Sequence, residues 1–277
     1  MVKTPFQFND EPMPDLAAKL RFDIPHSARI YDYWLGGKNN YPVDRAAGEA
    51  VREAYPEVVR AATQGRQFLI RTVRHVTREC GIRQYLDIGT GLPTMQNTHE
   101  VAQAIAPETR IVYVDNDPLV LVHARALLTN TTPEGVTTYA DADIHNPDLI
   151  LADARNVLNF NEPIGVIIMN VLGYVTDFDK AKAIVARIMD AVPSGSYLLL
   201  RDATDTSDQI REAVRRYAAA GTTPYSLRKV DEVREFFDGL ELVEPGLVTI
   251  TQWRPDEQHI GAPPAPIDGY GGVARKP

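Results

Sequence analysis

"YLDIGTGLPT", residues 85–94, is the stretch on which the reading of this chain turns. Tyr85-Leu86-Asp87-Ile88 reads as the end of a buried strand, and Gly89-Thr90-Gly91 as the turn that leaves it. Two glycines let the backbone turn sharply and approach a ligand with no Cβ in the way. The next helix starts late. Asn97-Thr98-His99-Glu100 is a capping-box pattern, with Asn97 as N-cap and Glu100 at the third helical position. The turn is therefore long, and it includes Leu92, Pro93 and Thr94. Taken alone, a two-glycine loop is read better as a structural turn than as a site.

The surrounding texture supplies the fold class. From residue 82 onward short β-type runs alternate with helical stretches. "QYLDIG", "RIVYVD", "VTTYAD", "GVIIMNVL" and "SYLLLRDA" read as strands. "THEVAQAIA", "PLVLVHARALL", "PDLILADARNVL" and "DKAKAIVARIMDAV" lie between them as helices. Such alternation builds a mostly parallel sheet wrapped by helices. "LELVEPGLVTITQW", residues 240–253, reads as two more strands joined through Pro245-Gly246, an antiparallel hairpin at one sheet edge. The expectation is an α/β, Rossmann-like, doubly wound, mostly parallel sheet of seven strands ending in that hairpin. No internal repeat is visible.

Upstream, residues 1–15 read as a loose, proline-broken leader. Residues 16–80 have apolar residues at helical spacing, with Pro56 as a joint between two helices. The expected organisation is a leader and helical cap over 1–80, a core over 81–253, and a Pro- and Gly-rich tail over 254–277 that wraps the surface.

Composition narrows the partners. The net charge of −8 over 277 residues argues against nucleic acid or an anionic membrane, either of which would want a basic face. Cys80 is the single cysteine, so no internal disulfide forms. No Cys/His cluster has zinc-site spacing, and no metal is expected. No apolar run approaches the roughly 18 residues of a membrane span. A cytoplasmic protein is expected, and its oligomeric state is left open.

The strand ends carry the chemistry. The second strand ends in Asp115, placed to accept hydrogen bonds from a ribose diol. Its plainer reading is a helix N-terminal charge before Pro118, which fits Asp117 better. The third strand ends near Asp143-Ile144, a pairing that suits an adenine: the acid for the amino group, the apolar side chain for the ring. Asn116, beside Asp115, and Asn170, at the end of the fourth strand, complete the candidate set. The run Gly89-Thr90-Gly91-Leu92-Pro93-Thr94 lacks the third glycine of the dinucleotide fingerprint. Pro93 removes a backbone donor, and no lysine follows the glycines. A ligand with ribose and adenine but no phosphate fits better, and S-adenosyl-L-methionine is that ligand. Asp87 and the loop backbone are natural partners for its amine and carboxylate. A nicotinamide-dependent oxidoreductase and a non-catalytic cofactor-binding regulator are the alternatives.

With those residues in place, 82–253 resembles the class I S-adenosylmethionine-dependent methyltransferases. "LDIGTG" is similar to their first motif, "VDNDP" to their ribose acid and "ADI" to their adenine-flanking acid. "PHSARIYDYWLGGKNNYPVDR" (25–45), "DIGTGLPT" with "NTHEVAQ", and "YGGVARKP" (270–277) resemble an actinobacterial S-adenosyl methyltransferase family formerly filed as a domain of unknown function. The resemblance implies the fold, the cofactor and methyl transfer. It also implies Asp87, Gly89, Thr90, Gly91, Asp115, Asn116, Asp143, Ile144 and Asn170 as cofactor residues. Leu92 stands where that class often has a third glycine. "MNVLGYV" is unlike the Asn/Asp-Pro-Pro motif of nucleic-acid amino methyltransferases, which points to a small-molecule acceptor.

In that class the N-terminal helices commonly cover the cofactor. Residues 26–42 are therefore expected to form a cover, with Arg29, Tyr33 and Asn40 contacting ligand. The plainer reading is a helix and loop docked into the core. His99, His145, His26 and Tyr174 are candidate bases, and none is assigned.

Overall fold

Five runs of five to seven residues form the parallel part of the sheet: β1 (Gln84–Ile88), β2 (Arg110–Asp115), β3 (Val136–Asp141), β4 (Gly165–Met169) and β5 (Tyr197–Ala203). The structure is a computed structural model and describes residues 21–93, 96–127, 130–255 and 265–277. The expected leader over 1–15 lies outside the described residues. Among the described residues three helices precede the sheet: α1 (Ser27–Trp34), α2 (Pro42–Ala54) and α3 (Val58–Arg78). The joint expected at Pro56 falls between α2 and α3. Pro42 opens α2 at a position where its missing N–H has no intrahelical partner to lose.

The remaining helices are α4 (Thr98–Gln103), α5 (Pro118–Leu127), α6 (Pro147–Ala154), α7 (Phe178–Ala191), α8 (Asp208–Ala219) and α9 (Val230–Glu235). Short edge strands follow: β6 (Glu241–Leu242), β7 (Val248–Thr249) and β8 (Gly269–Arg275). The strand order is β3-β2-β1-β4-β5-β8-β6, with β7 also on β8. The parallel strands run outward from β1 in both directions, so a crevice opens at their carboxyl ends between β1 and β4.

Side chains alternate across the sheet, as the two-residue period of a strand requires. Leu86, Ile88, Val166, Ile168, Leu198 and Leu200 face α6 and α7, where Ile150, Val185 and Ile188 meet them. Tyr85, Ile111, Ile167 and Leu199 face α3, meeting Phe68, Val73 and Val76. Both faces are covered, which explains the unbroken apolar runs of the sequence. A separate apolar cluster packs Ile30 of α1 and Val51 of α2 against Ile210 and Tyr217 of α8.

The antiparallel edge is present, but its pairing differs from the simple hairpin expected. β6 and β7 do not pair with each other; both pair with β8. β8 in turn runs antiparallel along the whole of β5, from Tyr197↔Arg275 to Ala203↔Gly269. Among the described residues the sheet thus has eight strands, and the tail expected to wrap the surface supplies one of its inner members, with Val273 and Ala274 fully buried. The glycines that made "YGGVAR" look like a loop are there for space. A Cβ on Gly271 would stand 2.7 Å from Arg201 Cβ, 2.8 Å from the Leu200 carbonyl oxygen and 2.9 Å from Phe68.

Gly271→Ala is therefore expected to destabilise the protein by about 1–3 kcal/mol through overpacking. Gly269→Ala, whose added Cβ would meet nothing nearer than 3.7 Å, should be close to neutral. Urea midpoints of the two variants check this. Equal midpoints would show that β8 is not seated against β5.

Candidate active site

The carboxyl ends of β1 to β5 open into one cavity of about 350 Å³. The nine cofactor candidates Asp87, Gly89, Thr90, Gly91, Asp115, Asn116, Asp143, Ile144 and Asn170 all line it. They come from four separate strand ends and meet only because those strands are neighbours in the sheet.

The loop after β1 is shaped by two left-handed glycines, Gly89 (φ +73°) and Gly91 (φ +67°), a conformation costly for residues with a Cβ. A Cβ on Gly89 would also stand 2.7 Å from Val171. Asp115 ties this loop down. Its carboxylate accepts from the Gly91 N–H at 2.8 Å and from the Asp117 N–H at 3.0 Å. Asp117 takes the helix-capping role: it accepts from the Leu119 N–H at 2.9 Å and pairs with His26 at 2.8 Å. The capping box of α4 forms as well, with the Asn97 N–H donating to Glu100 at 2.6 Å.

The carboxylates differ electrostatically. Burial pushes Asp87 up to about 6, and Asp115 pushes it the same way. A 2.7 Å hydrogen bond from Thr98 and the charge of Arg66 oppose that rise. Burial also raises Asp115, against the two backbone N–H groups it accepts. At Asp143 burial again acts upward, but donors from His145 and Asn116 outweigh it and hold the acid below its ordinary value. Asn116 Nδ2 lies 2.6 Å from Asp143, and the His145 N–H lies 2.8 Å from it.

A second polar centre lies at the ends of β4 and β5. Asn170 sits at φ +58°, a conformation Asn tolerates better than most residues. Its side-chain oxygen lies 3.2 Å from the Tyr225 hydroxyl, and its N–H donates to the Arg201 carbonyl at 2.9 Å. The same Tyr225 hydroxyl donates to Asp202, which burial pushes up to about 6 against the pull of Tyr225 and Arg228.

The cover segment divides. His26, Ser27, Ala28, Tyr31 and Trp34 line the cavity. Arg29, Tyr33 and Asn40, expected to touch ligand, are not among the residues lining it. Arg29 donates to the carbonyls of Arg21 and Ile24 and lies 3.6 Å from buried Asp44. Tyr33 donates to Glu49. Asn40 donates to Asp32 at 2.8 Å and to the Gly37 carbonyl at 3.0 Å. Arg29 thus faces the segment before α1 and the start of α2, Tyr33 faces α2, and Asn40 lies in the connection between the two helices. Of the candidate bases, His145, His26 and Tyr174 line the cavity. His99 is buried against Tyr113 behind it.

Arg66, Arg201, Tyr217 and Tyr225 also line the cavity and were not singled out from the sequence. Arg201 and Asp202 had a local signal, two charges closing the apolar run "YLLLRDA". Tyr225 had none, because it lies in the connection after α8.

One comparison decides the family. Residues 14–277 match the family model described as S-adenosyl methyltransferase. The chain belongs to this S-adenosyl methyltransferase family. It is an S-adenosylmethionine-dependent methyltransferase, and S-adenosyl-L-methionine is its cofactor. A crystal structure of a DUF574 family protein from Streptomyces avermitilis shares 44% identity with it. The alignment covers 92% of this chain and 99% of that one, with a TM-score of 0.86. A Thermobifida fusca protein described provisionally as a methyltransferase shares 37% identity, covering 96% and 99% of the two chains, with a TM-score of 0.85. Among curated proteins no sequence matches. No helix of this methyltransferase, among the described residues, is long and apolar enough to cross a membrane.

Two outcomes are expected of the methyltransferase without ligand. First, Asp87 and Asp202 each rise from 3.8 to about 6 on folding, a change worth roughly 3 kcal/mol per group at most. Between about pH 4 and 6 the folded state holds more protons than the unfolded one, so these groups make stability fall as pH rises through that window. Asp202→Asn should flatten this slope, gaining stability relative to wild type at pH 7.5 but not at pH 4. Denaturation at both pH values checks it, and parallel curves would place Asp202 in a solvated site. Second, Asn40→Ala should cost about 1–3 kcal/mol of stability by leaving buried partners unpaired. Its affinity for S-adenosylhomocysteine should stay at wild-type level, as calorimetry would show.

Proposed function

We propose that the nine lining residues form the S-adenosylmethionine site and that the methyl acceptor is a small molecule bound beside it. The observation that supports this most is that one cavity holds all nine residues on its sheet side while helices wall the other. α1, α3 and α8 contribute Tyr31, Trp34, Ala62, Leu69, Ile210 and Tyr217 to that wall. A chamber of about 350 Å³ is at the small end of the usual range for small-molecule pockets.

The residues suit the cofactor. The Gly91 N–H, which a pyrophosphate would need, is already held by Asp115. The glycine loop carries no lysine or arginine. A phosphate-free nucleoside fits that arrangement. Asp115 would hold the ribose diol, Asp143 with Ile144 the adenine, and Asp87 with the loop backbone the methionine end.

Bound there, the cofactor supplies an activated methyl group on a sulfonium. The chain's own contribution is orientation, which can account for much of the rate. A hydroxyl or protonated-amine acceptor must also lose a proton. Tyr225 faces the cavity and donates to buried Asp202, so the pair forms a proton acceptor at the acceptor end. His145 and His26 are held by Asp143 and Asp117 on the cofactor side and are less well placed.

Asp115→Ala should lower the affinity for S-adenosylhomocysteine by roughly 10- to 150-fold, the equivalent of losing a charge-assisted interaction of about 1.5–3 kcal/mol. The folded state should persist. Calorimetry on the folded variant checks this, and wild-type affinity would remove Asp115 from the site. The acceptor class is tested by following labelled methyl transfer to small-molecule, protein and nucleic-acid fractions. Labelling confined to either macromolecular fraction would overturn the small-molecule reading.

A further inference from the structure

Among the described residues, Arg201 is the charged residue of the cavity lining that no hydrogen bond or ion pair engages. It is 7% exposed and lines the cavity at the end of β5. Among the described residues no hydrogen bond or ion pair engages its guanidinium, and its Nε is buried without a partner. A buried, unpaired guanidinium is expensive, because it has left water without a replacement partner. Its sequence neighbour does not bond to it. Asp202 points to the other face of the strand, where Tyr225 and the Ala203 N–H share one oxygen of its carboxylate, and it acts on Arg201 through space without a hydrogen bond.

The chain makes room for this group. Gly65 lies inside the 21-residue helix α3, where glycine costs about 1 kcal/mol relative to alanine. A Cβ there would stand 2.6 Å from the Arg201 guanidinium carbon. Gly271 of β8 leaves space for the Cβ of the same arginine. Tyr31, Trp34, Tyr55 and Leu69 line the same cavity, with the Asp268 carboxylate beside Tyr55.

We propose that Arg201 binds a carboxylate of the methyl acceptor, which is then an apolar or aromatic carboxylic acid. The inference rests on the methyltransferase site described above and names the substrate class for it. A guanidinium fork matches a carboxylate with two parallel hydrogen bonds. A phosphate would ask for more positive charge than one arginine. The other arginine on the lining, Arg66, is already held by the Gln96 carbonyl at 2.8 Å and by Asn97. The cofactor also owns a carboxylate. Its expected partners lie at the end of β1, and β5 is separated from β1 by β4, two strand spacings or roughly 10 Å away.

The test uses the full chain saturated with S-adenosylhomocysteine and a set of paired probes. These are phenylacetate, 3-phenylpropanoate, 4-hydroxybenzoate and indole-3-acetate, each beside its primary amide. Saturation-transfer NMR and calorimetry measure affinity. At least one acid should bind about tenfold or more tightly than its amide, the scale of a charged hydrogen bond. Arg201→Gln should abolish the difference, and Arg201→Lys should keep part of it. Gly65→Ala, which pushes the guanidinium aside without removing it, should weaken the same acid, and it serves if Arg201→Gln does not fold. If no pair separates, or if folded Arg201→Gln keeps the preference, the proposal is overturned. A tenfold loss of S-adenosylhomocysteine affinity in folded Arg201→Gln would assign the arginine to the cofactor's carboxylate and also overturn it. Failure of the wild-type chain to bind S-adenosylhomocysteine would instead refute the underlying site.

Discussion

A parallel sheet covered on both faces has no solvated side on which to carry polar chemistry. In this chain the constraint is nearly complete: β1, β4 and β5 send apolar residues to α6 and α7 on one face and to α3 on the other. Polar groups are confined to the strand ends. Asp87, Asp115, Asn170 and Asp202 stand there, all but Asn170 deeply buried. Burial is what sets their electrostatics, and the donors around each one decide how far its proton affinity rises. Asp87 and Asp202 rise to about 6, while Asp143, more exposed and with more donors, stays low.

The helical layer over the strand ends is held by two other buried acids. Asp44 accepts from the backbone N–H groups of His26 and Tyr41, fixing the start of α1 to the start of α2. Asp32 accepts from the Asn39 N–H and from Asn40, fixing the turn between them. Those two hubs absorb the polar side chains that made residues 26–42 look like a ligand-binding surface. They leave the opposite side of α1, with Tyr31 and Trp34, as cavity wall. The segment contributes His26, Ser27, Tyr31 and Trp34 to the cavity, while Arg29, Tyr33 and Asn40 bond to α2 and to the segments flanking α1.

The C-terminal strand closes the arrangement. By occupying the full edge of β5, β8 keeps Arg201 and Asp202 inside the sheet and away from its rim. Water that would solvate an edge strand is excluded, so these two charged residues at the end of β5 are shielded on that side. Its two middle glycines allow that close approach, Gly271 against Arg201 and Phe68, Gly272 against the Gly246 carbonyl.

The alternating strands and helices, the glycine turn after β1, the late capping box at Asn97 and the acids at successive strand ends were all legible in the sequence. Each is a local pattern: a period, a cap or a residue at the end of an apolar run. Their convergence was legible too, because a doubly wound sheet brings its carboxyl ends to one rim. The tertiary structure alone decided three things. The place of β8 depended on a ladder between residues about 70 apart, and its glycines gave the local signal of a loop. The directions of Arg29, Tyr33 and Asn40 depended on Asp32, Asp44 and Glu49, which only packing places beside them. Tyr225 and the unpaired guanidinium of Arg201 came to the cavity through the folding of α8 and α3 over the sheet. Local patterns record which face of the backbone is buried. Which side chains meet across that buried space is set by long-range packing.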